Sequence, residues 1–232
     1  MKTSLILIFF SCNIFFSQNN NRWSLLSDGH IEWNVKSNDT HMDNIEMSGL
    51  QISSIVHYGI KNGVLNQRVN LIFPMLRTIP NDTHASLSHE IDSEILDKIK
   101  VNGESIIEYP YQFRHKGFLG FSSNTKQGLD IKHQLFPSKD QPVFIDKIQI
   151  VNTTDKNVSI NLPKIDYVFE TDEKKGVSGG YKIQVTSSKE GAHQLAPKEV
   201  FEYSLIYTGR HSDAFESSIS SFNSNSSLWA GS

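Results

Sequence analysis

Apolar and polar residues alternate along most of the chain with the period of two that marks half-buried strands. Ile31 to Val35 predicts a first short strand. In the next, Ile52, Ser54, Val56 and Tyr58 share one face, with Ile55 and His57 on the other. Lys61-Asn62-Gly63 predicts a tight turn, because Asn-Gly tolerates positive φ at both central positions of a hairpin. Val64 to Phe73 then returns, ending at Pro74. A second Asn-Gly, Asn102-Gly103, joins Ile99–Val101 to Ser105–Ile107. Strand patterns follow at Phe118–Ser122, Leu129–Phe136, Val143–Val151, Val158–Leu162, Ile165–Glu170, Tyr181–Thr186 and Val200–Thr208. Within Leu129–Phe136, Leu129, Ile131, His133 and Leu135 alternate with polar and charged residues. Many short strands separated by turn signals predict an all-β fold, a large antiparallel two-sheet β-sandwich over residues 22–210. Helical spacing enters only at Phe215, Ile219 and Phe222, after a capping Ser212-Asp213. Residues 211–232 therefore read as a short helix and a Ser/Asn-rich tail. Leu228-Trp229 beyond that stretch either folds back on the sandwich or begins a further helical domain.

The first residues have a different logic. Lys2 precedes apolar runs at Leu5–Phe10 and Ile14–Phe16, and the chain turns polar at Gln18. This is the layout of a secretory signal peptide over residues 1–17, implying export to the periplasm or beyond. The runs are shorter than the about 20 residues that a membrane-spanning helix needs. Cys12 offers the competing reading of a lipoprotein signal. Cys12 is the single cysteine, so its removal with the leader would exclude disulfides and thiolate chemistry from the mature chain. A formal net charge of −3 leaves no electrostatic footprint for nucleic acid.

Chemistry is harder to find. There is no Gly-x-Ser-x-Gly, no phosphate-binding loop and no His-Glu-x-x-His, and no cofactor is implied. Nine histidines raise the question of a metal, but no spacing among them makes a ligand set, and no metal site is assigned. Carboxylates that could serve sugar hydrolysis (Asp43, Glu46, Asp82, Glu90, Asp92, Asp166, Glu170) lie near strand ends or turns, with nothing to pair any two.

The segment "FPMLRTIPNDTHASL" concentrates polar groups: Arg77, Asn81, Asp82, Thr83 and His84. Asn-Asp-Thr-His also occurs at Asn38–His41, and turn chemistry alone explains such a run. Pro74 and Pro80 stiffen the segment and predict that it leaves the ladder. Two readings stay open: a docking surface in which Arg77 clamps an acceptor, or an internal Arg77–Asp82 pair that only shapes the turn.

"HMDNIEMSGLQISSIVHYGI", "LIFPMLRTIPNDTHASL" and "LAPKEVFEYSLIYTGR" resemble the N-terminal β-sandwich of secreted six-hairpin glycosidases of Bacteroidetes, relatives of α-L-rhamnosidases and glycogen-debranching enzymes. The resemblance spans about Trp23 to Arg210. It implies an (α/α) barrel as partner in cis or in trans, an oligo- or polysaccharide substrate, and catalytic carboxylates on that barrel rather than here. Glu46, Arg77 and Asn81 to His84 then become domain-docking or sugar-facing residues. Two alternatives are a stand-alone carbohydrate-binding module and a mutarotase-like enzyme. The latter would pair His84 or His133 with Asp166 or Glu170.

Overall fold

The computed structural model describes residues 22–79, 85–93, 96 and 98–213. The predicted leader and C-terminal helix lie outside the described residues. In chain order the strands are β1 (Ser24–Leu25), β2 (Ile31–Asn34), β3 (His41–Ser48), β4 (Ser53–Lys61), β5 (Val64–Thr78), β6 (Ala85–Asp92), β7 (Lys100–Val101), β8 (Glu104–Ser105), β9 (Tyr109–His115), β10 (Leu119–Asn124), β11 (Leu129–Pro137), β12 (Val143–Asn152), β13 (Val158–Leu162), β14 (Asp166–Glu170), β15 (Tyr181–Ser187), β16 (Gly191–Leu195) and β17 (Val200–His211). A short 3₁₀ turn lies at Glu173–Lys175, and among the described residues no helix is long and apolar enough to cross a membrane.

The strands form an all-β sandwich. One layer is a nine-stranded antiparallel sheet, β1-β2-β9-β10-β11-β12-β17-β15-β14. Two four-stranded sheets, β3-β4-β5-β6 and β16-β13-β7-β8, form the other. Both Asn-Gly turns are as the sequence predicts. Asn62 and Gly63 have φ 54° and 77°, and Asn102 and Gly103 have φ 53° and 88°. These left-handed values match the twist of a two-residue hairpin. In β4 the residues predicted to share a face, with Ile52 just ahead of it, are buried: Ile52, Ser54, Val56 and Tyr58.

Two apolar clusters fill the space between the layers. The larger joins Val56, Tyr58, Val69, Leu71, Phe73, Leu87 and Ile91 of the β3–β6 sheet to Trp33, Phe113, Phe144, Ile183 and Tyr207 of the long sheet. The smaller joins Val101, Ile160, Leu162 and Leu195 to Leu129, Ile131, Ile148, Ile150 and Tyr203. On β11 and β12 the clusters are therefore neighbours: Ile131 lies in one and Leu135 in the other, as do Ile148 and Phe144.

One expectation needs correcting. The chain leaves the β6 ladder only over Pro74, Met75 and Leu76, and Arg77 and Thr78 rejoin it. β5 runs on to Thr78, pairing Arg77 with Ser86 and Thr78 with Ala85 across a register break after Phe73. The break takes in Pro74, a residue with no N–H to donate, and the bulged strand bends there. The bend carries β5 across to the other layer. Thr78 bridges Gly176, and the Ile79 N–H donates to Lys175 O at 2.9 Å.

Candidate functional site

Three places concentrate chemistry among the described residues. The first is the end of β5 (Val64–Thr78). The Arg77 carbonyl accepts from the Val177 N–H at 2.9 Å and from the hydroxyl of fully buried Tyr181. The backbone at Arg77 is thus scaffolding that ties the two layers together. Its side chains tell a different story. Leu76 is buried and Thr78 half-buried, while Met75, Arg77 and Ile79 alternate outward into solvent. Across the bridge, Lys175 and Val177 are exposed as well. Met75 is 70% exposed, Val177 45% and Ile79 39%. The result is a rigidly held apolar strip with Arg77 and Lys175 set into it. Asp172 accepts from the Lys174 N–H at 2.9 Å and so caps the 3₁₀ turn that presents Lys175.

The predicted docking residues do not all meet there. Asn81, Asp82, Thr83 and His84 lie outside the described residues, so neither the sugar-facing role nor an Arg77–Asp82 pair can be placed. Glu46 is exposed on β3 (His41–Ser48) and pairs Ile55, which in turn pairs Asn70. Seven residues of β5 separate Asn70 from Arg77, roughly 20 Å at strand rise, so Glu46 and Arg77 do not belong to one site. The earlier Asn-Asp-Thr-His run shows its plain use. Asp39 accepts from the indole N–H of buried Trp33 at 3.0 Å and from the Lys36 N–H at 2.8 Å. The Lys36 backbone bond chiefly holds the Asp39 carboxyl below its ordinary pKa, with help from Trp33.

The second place is interior. His133 is buried on the inner face of β11 (Leu129–Pro137), at the seam between the two apolar clusters. Its Nδ1 lies 2.9 and 3.0 Å from the carboxylate oxygens of buried Asp146 on β12 (Val143–Asn152). Its Nε2 lies 3.3 Å from Glu108 Oε2, close enough for charge attraction but off the direction of a hydrogen bond. The Phe121 ring stacks on the imidazole, centroids 4.4 Å apart. Burial pushes the His133 pKa down, yet the charges of Asp146 and then Glu108 more than reverse this, raising it to about 10. An imidazolium clamped between two carboxylates is the ground state. Tyr203 and Tyr207 nearby have their phenols pushed up, by burial first and by the Asp146 charge second.

This corrects the two pairs with His133 tried from sequence; those with His84 lie outside the described residues. Asp166 and Glu170 sit on β14 (Asp166–Glu170), with β12, β17 and β15 between it and β11. They are exposed, while Tyr167 and Phe169 of the same strand pack inward. Asp166 accepts from Gln184 at 2.9 Å, and Glu170 lies 3.7 Å from Lys182. His133 faces the core, so neither carboxylate can reach it. The signal available was a titratable residue on the apolar face of each of two adjacent strands.

A third polar group lies beside Trp23. Tyr58 Oη and His115 Nε2 are 2.7 Å apart, and the Trp23 indole N–H donates to Asp43 at 3.2 Å. Burial lowers the His115 pKa and raises that of Tyr58, so both stay neutral.

No protein-family model matches the chain, and no curated protein matches it.

Proposed function

We propose that this chain is the accessory β-sandwich of an exported carbohydrate-active enzyme of the six-hairpin glycosidase kind, seating against a catalytic (α/α) barrel in cis or in trans. The motifs at His41–Ile60, Leu71–Leu87 and Leu195–Arg210 motivate the kind of enzyme. The observation that carries the docking role is the strip Met75, Arg77, Ile79, Lys175 and Val177. Its backbone is pinned by hydrogen bonds between layers while its side chains face solvent. Apolar area interrupted by Arg is what an interface centre uses.

A stand-alone carbohydrate-binding role would draw on aromatic rings presented to sugar faces. Among the described residues Tyr111 is the one exposed large aromatic, and its hydroxyl donates to Asp130 at 2.9 Å. The exposed strip therefore favours docking over sugar stacking.

The test is Arg77→Ala, measured on the isolated chain and against a separately expressed barrel encoded beside it. Unfolding free energy should change by less than about 0.5 kcal/mol, as for ordinary surface positions. Association should weaken. Unchanged association would remove the docking role. Export predicts that secreted material begins near residue 18, and mass spectrometry finding Met1 still attached would refute it.

A further inference from the structure

We propose that two copies of this chain join through the free edge of β3 (His41–Ser48), antiparallel about a two-fold axis, so that their β3–β6 sheets run on as one. This edge lies apart from the strip at the end of β5 (Val64–Thr78), with β4 between them, and leaves that strip open to a barrel.

An edge strand presents a row of unpaired N–H and C=O groups, and proteins blunt such edges by shortness, lysine, proline or a bulge. β3 has none of these. It ends its sheet, is eight residues long, contains no lysine or proline, and pairs β4 (Ser53–Lys61) without a register break. The strands that end the other two sheets, β1, β14, β16 and β8, have two to five residues. β6 (Ala85–Asp92), at the other end of the same sheet, matches β3 in length. It pairs β5 across a break, however, and its His89 is tied to the Tyr167 hydroxyl of the long sheet at 2.8 Å.

The hydrogen-bond pattern tells which groups face outward. Gly49 stands opposite Ile52 and donates to its carbonyl at 2.8 Å. Bonded and non-bonded positions alternate along an antiparallel pair. Met47, Ile45, Asp43 and His41 therefore bond to β4, and the backbone groups of Met42, Asn44, Glu46 and Ser48 point away from the sheet. In keeping with this, the Asn44 N–H meets the carboxylate of its neighbour Asp43, at 2.9 Å, rather than a strand. The side chains of the same four residues are exposed.

The edge matches itself. With the axis at Ile45, Met42 stands opposite the partner's Ser48 and Asn44 opposite the partner's Glu46. Every outward backbone group then falls in a bonded pair, giving about eight N–H···O bonds. No charge faces its like, and the Asn44 amide meets the partner's Glu46 carboxylate twice by symmetry. Moving the axis to Asn44 keeps about six of those bonds and loses both amide contacts, and moving it to Glu46 sets two carboxylates face to face. Apolar surface flanks the edge as well. The Trp23 indole donates to Asp43 at 3.2 Å, and Leu25, two residues on, is 75% exposed.

Sedimentation velocity of the purified chain, from micromolar to millimolar concentration, reads the association. A dimer is expected. Asn44→Glu should weaken it about fivefold, because two pairs of carboxylates then oppose each other. Asn44→Lys should tighten it about fivefold, each introduced ammonium meeting the partner's Glu46. The exchange Asn44→Glu/Glu46→Lys should recover at least wild-type association. All of these changes fall at exposed positions, so urea midpoints should stay within the range of ordinary surface substitutions. A chain that remains monomeric at millimolar concentration would overturn the proposal. So would a dimer indifferent to Asn44→Glu, which would be joined elsewhere, or one weakened by Asn44→Lys, which would set Asn44 against itself. Arg77→Ala should leave the dimer intact and Asn44→Glu should leave association with the barrel unchanged, so the two surfaces fail separately.

Discussion

Replacing His133 with Leu tests what holds the seam between the two apolar clusters. The substitution removes the imidazolium that lies between Asp146 and Glu108 and leaves a buried and a half-buried carboxylate without their shared cation. Breaking a buried charge pair by deleting one partner typically costs 3–5 kcal/mol, because the remaining charge is left unpaired. Here both carboxylates lose their cation, so about 4 kcal/mol is expected. Urea unfolding followed by tryptophan fluorescence would show it. With a slope of about 2 kcal/mol per molar, the midpoint should fall by roughly 2 M. The pH profile supplies an independent check. His133 titrates at about 10 in the folded chain, above its ordinary value of 6.5. Its contribution is therefore full below pH 6.5 and disappears as pH rises towards 10. Through that window wild-type stability should drop by about 1.4 kcal/mol per pH unit, one proton's worth. His133→Leu should lack this slope. A penalty under about 1 kcal/mol, or a wild-type profile flat from pH 7 to 9.5, would refute the account of His133 as a buried cation. A His133→Leu/Asp146→Leu double variant less damaged than His133→Leu would show that the cost lies in the stranded carboxylate.

Much of this architecture was legible from alternation. The strands at Leu129–Pro137, Val143–Asn152, Val158–Leu162 and Val200–His211 lie within a residue or two of their predicted bounds, except that the last runs three residues further. Their inward positions are apolar almost throughout, and that is the physical origin of the pattern. The strands that escaped notice break it. On β3 (His41–Ser48) the half-buried positions include His41 and Asp43, because Asp43 accepts from an indole rather than facing water. β9 (Tyr109–His115) contains Pro110, next to a register shift against β10 (Leu119–Asn124). β16 (Gly191–Leu195) buries only Leu195. Residues beyond Pro74 read as loop because a proline in a strand is usually an ending. The bulge that accommodates it depends on the partner strand and cannot be seen locally. The interior cluster was half legible. His133 and Asp146 each interrupt an apolar face, but Glu108 comes from a connection, and only the folded topology brings it alongside.

The other expectations concern acid, close packing and one buried amide. His115 and His89 have pKa values lowered by burial, so the unfolded chain binds their protons more readily. Their contribution is present above pH 6.5 and lost below it, and a His115→Gln chain should show a shallower loss of stability between pH 6.5 and 5. Gly209→Ala would drive a methyl group into the Phe73 ring, which packs on the β17 backbone there. It should cost about 1–3 kcal/mol and be partly relieved by Phe73→Leu, and additive effects in thermal unfolding would disprove that contact. The last expectation is an ordering rather than a size. Asn152 is fully buried at the end of β12 (Val143–Asn152). Its amide nitrogen donates to the carbonyls of Lys156, Leu195 and Ala196 at 2.7, 2.9 and 3.1 Å. Its oxygen accepts from the Thr154 N–H at 3.0 Å and the Thr154 hydroxyl at 2.8 Å. One side chain thus closes the turn after β12 and clamps it to the turn between β16 (Gly191–Leu195) and β17 (Val200–His211). Asn152→Ala strands those groups and should cost about 3 kcal/mol. Asn152→Asp keeps the shape but aims a second acceptor at carbonyls, so at neutral pH it should cost more than alanine. The introduced carboxyl would then hold its proton more tightly folded than unfolded, and its penalty should shrink as pH falls towards 4. An Asn152→Asp chain as stable at pH 7 as Asn152→Ala, or one that weakens further on acidification relative to it, would mean that the amide does not donate to those carbonyls and that the two turns are held by something else.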